Sequence, residues 1–175
     1  FRRLEFRPRV LRGAGDVDCS SELLGRSVAM PLVLAPTGFT RIADPQGELA
    51  VVRAAERARV PYALSTVATR SIEEVAAAAP EADRWFQLYV WRDRGLVQAL
   101  IDRAEAAGCS TLCLTVDAPV LGRRERDHRR GFTLPPKIGL ATVLDGILPP
   151  RWTWAFARSE PIVFATVVGS SVGYG

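Results

Sequence analysis

The chain has 175 residues, 48% of them hydrophobic and 24% charged, which is typical of one globular domain and excludes a disordered chain. No apolar run approaches the roughly 18 residues that span a bilayer, and the N-terminal FRRLEFRPRVL lacks the apolar core of a signal peptide. The net charge of +4 comes from arginine, concentrated in residues 2–12 and 123–130, where a solvated face or an anion site is favoured over nucleic acid.

Apolar periodicity predicts alternating strands and helices between residues 27 and 117. Strands are predicted at 27–36, 61–66, 84–90 and 111–117, and helices at 44–60, 71–79 and 94–108. Asp44 as N-cap and Pro45 in the first helical position mark the start of the first helix. Ser71 and Glu74 form a capping box for the second helix, and Gly108 is predicted at the C′ position of the third.

The order β-α-β-α-β-α-β predicts parallel strands joined by right-handed helical crossovers, in an α/β fold. This pattern alone allows either a doubly wound sheet or part of a (β/α)8 barrel. The periodicity ends after Asp117, since residues 118–150 are rich in Pro, Gly and Arg, and residues 149–156 form a short aromatic segment. No helix or strand is predicted for the tail FATVVGSSVGYG, residues 164–175.

The three cysteines, Cys19, Cys109 and Cys113, fit neither a disulfide framework nor a zinc pattern. They are expected to be structural thiols in a reducing compartment, so a cytoplasmic protein without a metal site is predicted. The one histidine, His128, lies in the arginine-rich loop, where a solvated side chain is favoured over a ligand.

Polar side chains lie at the carboxyl ends of three predicted strands. Side chains two residues apart share a face of a strand, so Gln87 faces the same way as Tyr89, and Thr115 the same way as Asp117. Ser65 ends the preceding strand. Because α/β folds bind ligands at these ends, the groups predict a binding site, although they could instead satisfy one another or bind water. A buried Asp117 predicts a cationic partner, a His or an Arg.

Four stretches resemble the FMN-dependent α-hydroxy-acid dehydrogenase/oxidase family, which includes glycolate oxidase, lactate oxidase and respiratory L-lactate dehydrogenase. They are PLVLAPTGFTRIADPQGELAVVRAA, LSTVATRSIEEVA, WFQLYVWRDR and LTVDAPVLGRRERD, in the family's order and at its distances. The resemblance covers about residues 1–150, and residues 141–166 look most like bacterial lactate-dehydrogenase-type members. It implies a (β/α)8 TIM barrel with FMN at its C-terminal mouth, which oxidises an L-2-hydroxy acid to the 2-keto acid.

The resemblance also implies which residues bind FMN. The turn Pro36-Thr37-Gly38 would lie beside the reactive edge of the flavin, where a small residue lets the backbone approach closely. Ser65, Gln87 and Thr115 would hydrogen-bond the isoalloxazine ring and tune its electronics.

The substrate residues follow from the same resemblance. Tyr89 would contact the substrate through its hydroxyl, and Arg124 would pair with the substrate carboxylate through its planar guanidinium. Asp117 would orient the catalytic histidine and stabilise the imidazolium that forms. Val67 stands where glycolate oxidase has a tryptophan, so a wider pocket is expected, which favours lactate or larger 2-hydroxy acids.

The pattern predicts only about the first four β/α units, an incomplete barrel that forms the N-terminal half of a longer enzyme. Its parts are an irregular lead-in at 1–26, four strands and three helices at 27–117, and a loop-rich segment at 118–175. The family's N-terminal tyrosine segment, flavin lysine, catalytic histidine and Gly-rich phosphate loops are not among the 175 residues. The isolated chain is therefore expected to be inactive.

The resemblance implies a small 2-hydroxy-acid substrate and an electron acceptor, which is a quinone, a cytochrome or oxygen. It is compatible with peripheral association at the inner membrane and with a homo-oligomer for the full-length enzyme. A second hypothesis is a non-catalytic α/β module whose arginine-rich loops bind an anionic partner or nucleic acid with steep salt dependence. A third, another FMN-using barrel, fits the spacing of residues 87–89 and 115–117 less well.

Overall fold

The computed structural model describes residues 15–116 and 150–168, together with Glu5, Arg7, Pro8, Val10, Leu11 and Gly13. The strands are β1 Ser21–Leu23, β2 Arg26–Val28, β3 Tyr62–Ser65, β4 Arg84–Tyr89 and β5 Thr111–Thr115. The helices are α1 Glu48–Ala58, α2 Ile72–Ala78, α3 Arg94–Ala106, α4 Pro150–Ala157 and α5 Ala165–Val168, with a 3₁₀ turn at Thr40–Ile42.

A parallel sheet in the order β3-β4-β5 forms the centre of the described structure. Helix α2 connects β3 to β4, and α3 connects β4 to β5, so the predicted parallel strands joined by helices are confirmed for these units. On the far side of β3, Leu34 makes one parallel bridge to Tyr62. Strands β1 and β2 form a separate antiparallel hairpin.

The hydrophobic core lies between one face of this sheet and the helices. Leu64, Phe86 and Leu88 alternate with the polar positions of β3 and β4, and all three are at most 2% exposed. The equivalent positions of β5 are more open, since Leu112 is 46% and Leu114 is 54% exposed. Because Leu112 and Leu114 pair with Phe86 and Leu88, the exposed apolar surface on β5 continues the face of the sheet that the helices cover elsewhere.

Local sequence signals set the ends of the second and third helices as predicted. The amide of Glu74 donates to Ser71 Oγ at 3.1 Å, and the amide of Ser71 donates to Glu74 Oε2 at 2.8 Å, so the capping box is formed. Gly108 has a φ of 73° directly after the C-cap of α3, a conformation that glycine adopts without steric cost.

The first helix begins later than predicted. Asp44 is not its N-cap, because its carboxylate accepts from the amide of Gln46 at 2.8 Å and closes a turn there. Helix α1 starts at Glu48 instead, after Gly47 with a φ of 52°. The short-range turn thus competes successfully with the predicted cap.

The prediction of one buried strand over 27–36 is wrong. Only Ser27 and Val28 at its start belong to a strand, the end of β2, and Leu34 forms the single bridge. Pro31 lies between them and has no N–H to donate to a sheet, which explains the interruption. Met30 and Leu32 on either side of the proline are exposed.

The predicted aromatic segment forms helix α4 and packs back onto the chain. Trp152 Nε1 donates to the carbonyl of Ile42 at 2.8 Å. The tail also contains helix α5, contrary to the prediction. Its start is anchored by Phe164, whose ring meets that of Phe39 edge-on at 4.7 Å between centroids. This contact joins residues far apart in sequence, so local periodicity could not reveal it.

Helices α2 and α3 are joined by an ion pair that makes stability depend on pH. Arg103 donates to both carboxylate oxygens of Glu73, at 2.7 and 2.8 Å, and this bonding holds the pKa of Glu73 below its usual value. A carboxyl group with a lowered folded-state pKa stabilises the protein above its unfolded pKa of about 4.5, and this stabilisation is lost as the pH falls through the folded value.

We expect Glu73→Gln to lower the free energy of unfolding by about 0.5 kcal/mol at neutral pH, because Glu73 is half exposed. The difference from the wild type should shrink as the pH is lowered below about 4, where the wild-type carboxylate is protonated. Urea unfolding at neutral pH and at a pH below about 4 measures this difference in free energy, with Glu105→Gln on the exposed side of α3 as control. A difference that does not change with pH would contradict the assignment.

Candidate active site

The predicted site residues of the sheet share one face at its carboxyl end. Ser65 pairs in register with Gln87, and Tyr89 pairs with Thr115. Side chains paired in this way project from the same face, opposite to the one covered by the helices. Ser65 and Gln87 are buried, whereas Tyr89 and Thr115 are half-buried. The predicted shared face of Gln87 and Tyr89 is confirmed, and the register shows that Ser65 and Thr115 lie on the same face.

The side-chain amide of Gln87 connects the three strands. Its Oε1 accepts from the Ser65 hydroxyl and from the amide of Thr66, both at 3.3 Å. Its Nε2 donates to Thr115 Oγ1 at 2.6 Å. The Ser65 hydroxyl in turn accepts from the amide of Val67 at 3.2 Å. The amide orientation is thus fixed by donors on one side and an acceptor on the other.

This arrangement leaves donors for a ligand. An amide nitrogen carries two hydrogens, and the bond to Thr115 uses one of them. The Thr115 hydroxyl accepts that bond and keeps its own hydrogen to donate. Thr115 is half-buried at the end of β5, so part of its side chain is accessible to a ligand at this edge of the sheet. The donor set fits a planar ring with carbonyl oxygens at its edge, as the isoalloxazine of FMN has.

The turn Pro36-Thr37-Gly38 lies against the loop that follows β3. The amide of Phe39 donates to the carbonyl of Val67 at 3.3 Å, which joins the two segments. A Cβ added at Gly38 would come within 2.6 Å of Val67 Cγ2, so only glycine fits without a shift. Pro36 and Thr37 are exposed beside this contact. The structure therefore brings the predicted turn to the end of β3, next to Ser65.

Asp117, Arg124 and His128 lie outside the described residues, and their predicted roles remain predictions. Val116 is the last described residue before them and is 82% exposed. Among the residues described, no group of three or more His, Cys, Asp or Glu side chains could hold a metal ion. Burial raises the pKa values of Cys109 and Cys113, as expected for structural thiols.

Two buried polar residues near the site have contacts that the sequence did not indicate. Thr66 is fully buried directly after β3, and its hydroxyl contacts the backbone of β4. Glu48 is fully buried at the start of α1, where it accepts from the amide and hydroxyl of Thr69 at 2.8 and 2.7 Å. Glutamate in a first helical turn is usually exposed, and only the tertiary structure shows that this one anchors the loop after β3.

The sequence model of the FMN-dependent dehydrogenase family matches residues 1–172 of this chain. The chain belongs to this family. An L-lactate oxidase from Nostoc sp. is 46% identical over 156 residues, which are 86% of this chain and 43% of that protein. An L-lactate dehydrogenase from Ectopseudomonas mendocina is 45% identical over 153 residues, 86% of this chain and 39% of the relative. The chain thus spans about 40% of the length of the curated relatives it matches.

Solved structures agree with this assignment. The crystal structure of (S)-mandelate dehydrogenase, described as a monotopic membrane protein, superimposes with a TM-score of 0.84. The two sequences are 37% identical, and the match covers 95% of this chain and 45% of the mandelate dehydrogenase chain. The family is one of flavin-dependent oxidoreductases with a TIM-barrel fold, and the described residues of this chain form an open part of that fold. Of the three hypotheses drawn from the sequence, the family match supports the FMN-dependent dehydrogenase family over an anion-binding module or another FMN-using barrel.

The contact between Gly38 and Val67 can be tested by a double-mutant cycle. We expect Gly38→Ala to lower the free energy of unfolding by about 1–3 kcal/mol, because its methyl group would clash with Val67 Cγ2. Val67→Ala removes that atom and leaves the Val67 carbonyl oxygen at 3.3 Å and Cβ at 3.7 Å, so the double variant should recover part of the loss. Thermal unfolding measures each step, with Gly15→Ala in open space as control. Strictly additive effects would show that the two residues do not interact.

Proposed function

We propose that the protein containing this chain oxidises an L-2-hydroxy acid to the 2-keto acid with FMN, and that residues 1–175 supply about the first four β/α units of its barrel. The observation that carries the proposal is the Gln87 amide, held at the mouth of the sheet with an N–H beyond its bond to Thr115. Membership of the FMN-dependent dehydrogenase family and the similarity to an L-lactate oxidase and an L-lactate dehydrogenase support it.

Gln87, Ser65 and Thr115 would hold the flavin by hydrogen bonds to the polar edge of its ring. The turn at residues 36–38 would bring backbone close to the ring's reactive edge, since Gly38 has no side chain there. When bound, FMN supplies the two-electron oxidation by accepting the electron pair of the substrate's C–H bond.

The remaining residues would hold the substrate and manage its proton. Arg124 would bind the substrate carboxylate, and Tyr89, half-buried beside Thr115, would donate or accept a hydrogen bond at the substrate oxygen. Asp117 would orient a catalytic histidine and stabilise the imidazolium that forms when this histidine takes a proton from the substrate. The electrons then pass to a quinone, a cytochrome or oxygen.

The size of residue 67 supports a substrate larger than glycolate. Val67 is half-buried against Gly38, so a short side chain stands where the resemblance places a tryptophan in glycolate oxidase. Similar proteins are named for lactate, mandelate and also glycolate, so the argument for a larger substrate rests on residue 67. L-lactate or an aromatic 2-hydroxy acid is therefore proposed as the substrate.

The proposal is tested in the full-length protein by titration with FMN and by anaerobic bleaching of the flavin with L-lactate and (S)-mandelate. We expect Gln87→Leu to weaken FMN binding about tenfold or more, because it removes the donor, takes the acceptor from the Ser65 hydroxyl and takes the donor from Thr115 Oγ1. Arg124→Lys should raise KM with FMN binding unchanged, since a lysine cannot form the two-pronged carboxylate contact. Bound FMN that no L-2-hydroxy acid bleaches would refute the proposed reaction.

We also propose peripheral membrane association through helix α4, in a cytoplasmic enzyme that forms homo-oligomers. Trp152 and Phe156 stack at 5.0 Å and face the body of the protein, whereas Trp154 is 61% exposed with the Arg158 guanidinium 3.9 Å from its ring centroid. Exposed tryptophan beside arginine suits a membrane–water interface. Helices long and apolar enough to cross a bilayer do not occur among the described residues.

Binding to anionic lipid vesicles tests this association. We expect the double variant Trp154→Ala/Arg158→Gln to sediment with vesicles several-fold less than the wild type, because it removes both the aromatic and the cationic contact. Val17→Ala, which truncates an exposed apolar residue elsewhere, should bind like the wild type. Equal binding of all three proteins would exclude α4 as the contact.

A further inference from the structure

The hydroxyl of Thr66 extends the sheet by one residue beyond the end of β3. Thr66 Oγ1 donates to the carbonyl of Gln87 at 2.5 Å and accepts from the amide of Tyr89 at 3.0 Å. These two backbone groups flank Leu88. In a parallel ladder they would be bound by the N–H and C=O of the strand residue opposite it. A fully buried side chain therefore replaces a backbone pair at the point where β3 ends.

This replacement frees the backbone of Thr66 for other partners. Its N–H donates to Gln87 Oε1 at 3.3 Å, on the opposite side of the amide from Thr115. Its carbonyl accepts from the hydroxyl of Thr166, a fully buried residue of α5. The main chain at Thr66 thus contacts both the site amide and a helix 100 residues further along the chain.

Helix α5 is itself tied to the helical layer. Arg103 on α3 donates to the carbonyl of Thr166 through Nη1, and its Nε and Nη2 donate to the two carboxylate oxygens of Glu73 on α2. A chain of hydrogen bonds consequently runs from the Glu73–Arg103 pair through Thr166 and Thr66 to Gln87. Each polar atom in this chain has a defined partner, which favours a single arrangement of the amide.

We propose that Thr66 and Thr166 are positioning residues for Gln87 and Tyr89: Thr66 fixes the backbone of β4 and the site amide, and Thr166 of α5 fixes Thr66. Where it concerns FMN and substrate, the inference rests on the proposed function. Where it concerns the orientation of the amide and the backbone, it stands on the hydrogen bonds alone. Neither threonine touches the reacting atoms.

The variants remove a hydroxyl and keep the β-branched shape. Thr66→Val and Thr166→Val test the two residues, and Thr66→Ser restores the hydroxyl at the first position. Thr111→Val makes the same change at the opposite end of β5, where Thr111 only approaches Ser110 at 3.5 Å. If Thr66→Val fails to fold, Thr166→Val and Thr66→Ser still separate the outcomes.

The first readout needs no flavin: amide hydrogen exchange and side-chain amide resonances in the full protein by NMR. We expect Thr66→Val to speed exchange of the Tyr89 amide about tenfold relative to Leu64 in β3, because its acceptor is lost. Thr166→Val should shift or double the Gln87 side-chain amide signals with little change at Tyr89. Thr66→Ser and Thr111→Val should resemble the wild type at both positions.

The second readout is the FMN-loaded protein, in which both Thr→Val variants should shift the visible flavin spectrum and the flavin reduction potential, and Thr66→Ser should restore them. If the protein binds no FMN, the proposed function fails while the exchange results still decide the positioning role. Uniformly faster exchange across β3 and β4, or unchanged Tyr89 and Gln87 signals in both variants, would overturn it and leave Thr66 and Thr166 as ordinary core residues.

Discussion

The described site depends on the burial of one side-chain amide. Gln87 is 5% exposed, and a buried amide is costly unless its oxygen and nitrogen both have partners. Strand β3 supplies the donors and β5 supplies the acceptor, so the amide can be satisfied only when three strands are in the correct register. The polar contact therefore enforces the geometry that a ligand at this edge would require.

The arginine content of the chain has a structural explanation in several places. Buried Arg84 donates to the carbonyls of Ala79, Pro80 and Ala107, which end helices or begin loops. Arg41, which is 4% exposed, donates to the carbonyl of Glu160 at 2.8 Å. Because the guanidinium offers five donors in a rigid fork, one arginine can satisfy several orphan carbonyls at once. Some of the arginines that give the chain its positive net charge therefore bind backbone carbonyls and are not needed for an anion site.

The segment at 150–168 determines how the loops above β3 are arranged. It covers the 3₁₀ turn through Trp152 and Phe164 and reaches the strand end through Thr166. Elements that follow β5 in sequence thus complete the surroundings of residues at the end of β3. This is a consequence of parallel topology, in which all carboxyl ends meet on one side of the sheet.

The sequence alone determined those features that depend on neighbouring residues. Alternation placed Gln87 and Tyr89 on one face, and the Ser71–Glu74 pair and Gly108 fixed helix ends, because each signal acts within a few residues. The spaced motifs identified the family and the polar positions. Tertiary structure alone decided the burial of Glu48 and the contact of Thr166 with Thr66. These depend on residues up to 100 positions apart, whose proximity no local pattern encodes.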